Sequence, residues 1–134
     1  MSFTSVNIWA VLVAAAFNMI LGSLWYSRIL FGTLWMKLIG KTEEDLGGAA
    51  GAYVASILSG LVASYVLAIV VRMSGATTFF AGLLVGVVLW IGIGSTATLV
   101  VSVFNGPSVK AWLLHACYQL IVFAAAGGLF AIWR

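Results

Sequence analysis

The chain has 134 residues, 64% apolar and 7% charged, whereas soluble domains carry about 25% charged residues. A mean hydropathy of +1.21 and apolar runs of about twenty residues exclude water as the main solvent and predict spanning helices. The formal charge of +3 is the excess of six basic residues, near the span ends, over three acidic ones, which fits anionic lipid headgroups better than a nucleic-acid surface, for want of any basic cluster that tracks phosphates.

The first span is expected over Val6–Tyr26. Met1 to Ser5 contain no Lys or Arg, and the run outlasts an ordinary signal core, so it reads as a retained anchor. Ala10, Ala14, Asn18 and Gly22 recur every fourth residue along it. After the span, Phe31, Leu34, Trp35 and Leu38 recur at helical spacing among Arg28, Lys37 and Lys41, which predicts a short amphipathic helix over about 28–40, lying in the interface. Thr42, Glu43, Glu44 and Asp45 followed by Gly47 and Gly48 read as a solvated acidic turn rather than a calcium loop, because no second ligand source is present.

The second span, Ala50–Val71, carries Ala52, Ser56, Gly60, Ser64 and Ala68 at strict four-residue spacing, with Ala55, Ser59 and Ala63 alongside. Such a face lets helix backbones approach closely, where dispersion and weak hydrogen bonds replace the missing hydrophobic drive. Met73 to Thr77, with Gly75, close a hairpin to the third span, Thr78–Phe104, which repeats the device with Gly82 and Gly86. Gly92 to Gly94 sit inside that span and lack the strand and turn that a phosphate-binding loop needs. Asn105, Gly106 and Pro107 turn the chain into the last span, Val109–Trp133.

Four spans make an all-α, single-domain, integral membrane four-helix bundle over residues 1–134. The aromatic residues fit an even count: Trp9 and Trp133 mark the side of the two termini, and Trp25, Tyr26, Trp35, Tyr53 and Trp112 mark the other. Arg28, Lys37, Lys41 and Lys110 outnumber Arg72 and Arg134, so the positive-inside rule places both termini outside the cytoplasm.

Placed by a rise of about 1.5 Å per residue, Asn18 lies about 12 Å from the first-loop interface, Ser59 and Ser95 about 14 Å and Gln119 about 15 Å. They are expected to form one midplane polar layer, with His115 on the face of Gln119 one turn away. Two uses are open: interhelical hydrogen bonding, or a binding site or path for a solute or protons. The composition offers no paired intramembrane carboxylates, no metal-ligand spacing and no activated nucleophile, so neither a catalytic residue, a metal nor a cofactor is expected, and the chain reads as a non-enzyme. The single cysteine, Cys117, lies inside the last span and has no intrachain partner for a disulfide.

The stretch Gly22, Ser23, Leu24, Trp25, Tyr26, Ser27, then Leu30, Phe31, Gly32, Trp35 and the Gly40 to Glu44 segment resembles the small bacterial membrane family catalogued as domain of unknown function 1761. Tyr118, Gln119, Leu120, Gly127, Gly128, Trp133 and Arg134 extend the resemblance over nearly the whole chain, and Leu24 to Gly32 is its most specific part. Arg28 stands where members often carry proline. The resemblance implies a four-span protein of the bacterial cytoplasmic membrane and adds no chemistry.

Three functions remain in play. The first is a homo-oligomeric bundle that binds membrane lipid or a small apolar molecule, suggested by more small-residue faces than one monomer needs. The second is a small channel or transporter with a path along the polar layer; proton-coupled four-span exporters use a first-span carboxylate where this chain has Asn18. The third is an accessory subunit of a larger membrane complex.

Overall fold

The computed structural model describes residues 6–27, 29–39, 50–105 and 109–133. The acidic turn, Arg28 and the Gly106 to Pro107 turn lie outside them, as does the side chain of Ala52. Among the described residues helices are the only regular elements, and four of the helical stretches are long and apolar enough to cross a membrane.

Helix α1 (Ile8–Trp25) begins where Asn7 Oδ1 accepts the backbone N–H groups of Trp9 at 3.1 Å and Ala10 at 3.4 Å. These are two of the four donors that a helix start leaves unpaired. A tight turn comes next, with Phe31 N–H donating to Trp25 O at 2.9 Å and Gly32 N–H to Ser27 O at 2.8 Å. Gly32 opens the short helix α2 (Gly32–Ile39). A side chain at Gly32 would strike the carbonyls of Tyr26 and Ser27, so this turn requires glycine.

Helix α3 (Ala50–Ser74) runs past Val71 and ends at Gly75, whose φ of +76° is the left-handed conformation that stops helices at little cost only in glycine. Thr78 caps α4 (Phe79–Leu89), its Oγ1 accepting Ala81 N–H at 3.2 Å. The third span is not one uniform helix. A π-helical turn, Trp90–Gly94, separates α4 from α5 (Ser95–Asn105).

That turn has a local cause and a long-range effect. Gly94 leaves room for the Trp90 indole to lie against the chain, where any side chain would overlap the ring. The extra residue rotates the remainder of the span by about 100°. Gly82, Gly86 and Trp90 advance in fours along the buried face. Beyond the turn the inward face resumes at Thr98 and Ser102, while Ala97 and Val101 are exposed. Thr98 Oγ1 thereby receives Trp112 Nε1–H of the last helix at 3.0 Å.

Helix α6 (Val109–Ile132) is the hub, touching α1, α2, α3, α4 and α5. Its closest neighbour is α4. A Cβ on Gly82 would run into Gly127 O, one on Gly127 into Gly82 O, and one on Gly86 into Phe123 O, so the two backbones are in direct contact. On the other side α1 presents Ala10, Val11 and Ala14, and α3 presents Leu67, Ala68 and Val71, to Ala126, Phe130 and Ala131 of α6. The core therefore gathers toward the end that holds the termini.

Within α3, the expected small-residue face is used in part. Gly60, Ser64 and Ala68 are buried, while Ser56, one turn earlier, is exposed. Large apolar side chains such as Trp9, Val62, Phe80, Val88, Phe104 and Leu113 point outward on every span. This is the arrangement for a bundle whose solvent is hydrocarbon.

Candidate functional site

Three helices meet at Asn18. The Tyr118 hydroxyl of α6 donates to the Asn18 backbone carbonyl at 2.8 Å and to its Oδ1, sharing one proton between two acceptors. Gly22, one turn along α1, leaves space for that phenol, since a Cβ there would stand 2.8 Å from the Tyr118 oxygen. Gly60 of α3 flanks the other end of the amide, 2.9 Å separating Asn18 Nδ2 from the position of its missing Cβ. The small residues at 22 and 60 are thus matched to polar side chains.

Next to this node lies an aromatic cluster. Tyr26 Oη and His115 Nδ1 are 2.8 Å apart, a hydrogen bond whose direction depends on the histidine tautomer. Trp25 Nε1–H donates to Leu114 O at 3.2 Å, fixing the end of α1 on α6. Ring centroids separate Trp25 from Phe31 by 4.6 Å, Tyr26 from Trp35 by 4.9 Å and Tyr26 from Tyr118 by 5.9 Å, all within the range of favourable aromatic pairs. Trp25 and Tyr26, expected at the interface, fold their polar atoms onto α6.

The geometry engages the polar residues of the spans separately. Asn18 and His115 are engaged, but through Tyr118 and Tyr26 rather than with Gln119. Ser59 is exposed on α3. Ser95 Oγ donates to Ile91 O of its own span at 2.6 Å. Gln119 is half-buried, and its amide forms no hydrogen bond among the described residues. Equal depth did not bring the groups together, because each helix's rotation decides which way a side chain points. The sequence places Tyr118 near the face of His115 and Gln119 but gives it no role, and its spacing of three from His115 is the signal that points to one.

Seven of the residues that carry the family resemblance, Gly22, Trp25, Tyr26, Phe31, Gly32, Trp35 and Tyr118, meet in or beside this cluster. The family model described as a protein of unknown function, DUF1761, matches residues 9–131. This chain belongs to that family. No curated protein and no solved structure matches the DUF1761 chain.

A second feature of this DUF1761 protein is an open groove of about 650 Å³ between α2 and α6. Leu34, Leu38, Leu113 and Leu114 wall it, and Lys37 and Lys110 line it as well. Cys117 is exposed along the same wall. The sequence pointed to neither lysine as part of a site, since α2 and the start of α6 lie about 70 residues apart in the chain.

Proposed function

We propose that this protein is a multi-pass, non-enzymatic component of the bacterial cytoplasmic membrane, a homo-oligomeric helix bundle that holds a lipid or small apolar molecule. The observation that carries the reading is the outer face of α3: with Gly60, Ser64 and Ala68 spent inside the protomer, Ala55, Ser59 and Ala63 form a second small-residue stripe facing outward. Small residues at that spacing let a helix of another copy approach as closely as α1 does inside. The polar side chains of the spans support a packing role, because Asn18, His115 and Ser95 are engaged with protein groups.

Ser59→Leu tests the oligomer without touching the core. Native mass spectrometry from lipid nanodiscs is expected to give an oligomer for the natural chain and mostly monomer for the variant, with the melting temperature of the protomer retained. An oligomer that withstands the leucine would rule this face out.

We also propose that both termini lie outside the cytoplasm and that α2 rests in the cytoplasmic interface, from the excess of Lys and Arg on the first and third loops. In a Cys117→Ala background, Ser2→Cys is expected to react with an impermeant maleimide from the periplasm and Thr42→Cys to be protected. The reverse pattern would invert the orientation.

A further inference from the structure

We propose that the groove between α2 and α6 is a binding site for one anionic glycerophospholipid, its phosphate held between Lys37 and Lys110 and an acyl chain laid along the leucine wall. The inference rests on reading the chain as a lipid-holding bundle and names the lipid class and its place.

The groove is chemically graded in the way a phospholipid is. Lys110, Leu113, Leu114 and Cys117 run along one face of α6, descending about 10 Å over seven residues. Leu34 and Leu38 of α2 face them across the gap, with Lys37 in the last turn of that helix. Lys37 follows the first span and Lys110 opens the last, so the two spans between them put both lysines on one side of the membrane. Cations therefore stand at headgroup level and hydrocarbon lies below. A volume of about 650 Å³ falls within the roughly 300–1,000 Å³ typical of small-molecule sites.

Charge argues for an anion. Lys110 sits in the first turn of a 24-residue helix that has no acidic residue there. The partial positive charge of a helix start repels an ammonium group and attracts a phosphate. A second ammonium, on Lys37, lines the same groove. A phosphodiester satisfies both cations and the helix end together, and a zwitterionic choline lipid brings a competing positive charge.

The experiment uses the full-length protein in nanodiscs of phosphatidylcholine with a minor share of phosphatidylglycerol, and reads lipids retained per protomer by native mass spectrometry. The natural chain is expected to keep one phosphatidylglycerol in preference to phosphatidylcholine. The double variant Lys37→Gln with Lys110→Gln is expected to lose that preference by roughly 30-fold, from the attraction of two basic groups for an anionic headgroup. Lys37→Arg with Lys110→Arg is expected to keep it. Cys117→Trp, which fills the groove and leaves the charge unchanged, is expected to expel the lipid while the melting temperature is held. Equal retention of the two lipids, an undiminished preference in the glutamine pair, or an equal loss on Arg72→Gln at the opposite end would overturn the site. Retention is scored in monomer and oligomer separately, so an oligomer lost with lipid kept counts against the self-association alone.

Discussion

Gly82→Leu is expected to abolish the folded bundle, with a loss of about 3 kcal/mol or more, at or beyond the upper end for overpacked cores. The obstacle is main chain: the new side chain would have to displace Gly127 O and the Ala131 methyl, which belong to the helix that every other span leans on. Gly60→Leu meets only the end of the Asn18 amide, which can swing aside, so a cost of about 1–3 kcal/mol is expected there. Gly92 has nothing within 4 Å of where a side chain would begin, and Gly92→Ala should stay within about 0.5 kcal/mol of the natural chain. Thermal melts of the three variants in one detergent give the order directly. A Gly82→Leu protein that melts with the natural chain would mean that α4 and α6 do not touch.

Tyr118→Phe is expected to cost about 1–2 kcal/mol, more than any substitution of a polar residue on the outer faces. It removes the one hydroxyl that reaches both Asn18 acceptors and keeps the ring, so the loss reports hydrogen bonding rather than packing. Asn18→Leu should cost less, because Tyr118 retains the backbone carbonyl of residue 18 as a partner. The double variant should then fall short of the sum of the singles by about 0.5–1.5 kcal/mol, as for groups in direct contact. Gln119→Leu, by contrast, should change stability by less than about 0.5 kcal/mol, since its amide holds nothing among the described residues. Reversible unfolding in mixed micelles measures all four. Additive singles would dissolve the Asn18–Tyr118 contact, and a large Gln119 effect would show that its amide has a partner.

Residues close together in the chain decided much of this protein. The number of spans comes from the length of each apolar run, the stop at Gly75 from a dihedral that only glycine adopts cheaply, and the short α2 from the spacing of Phe31, Leu34, Trp35 and Leu38. The small faces at Gly60, Ser64, Ala68, Gly82 and Gly86 were legible for the same reason, since side-chain size needs no partner to be seen.

The partners of the small faces were decided by the tertiary structure. In water one apolar stripe would announce the buried side, but these spans are apolar all round, so hydrophobic periodicity carries no information on helix rotation. Gly82 and Gly86 found α6, Gly60 found Asn18, and Ala55, Ser59 and Ala63 were left outside. The π-turn at Trp90–Gly94 turned Thr98 toward Trp112, a choice that depends on where the indole packs. Asn18 takes its hydrogen bond from Tyr118, 100 residues away, rather than from an amide at similar depth. The groove with its two lysines exists only because α2 folds back onto α6. Depth and helicity are properties of a segment, whereas the direction in which a side chain points is fixed by the packing of whole helices against one another.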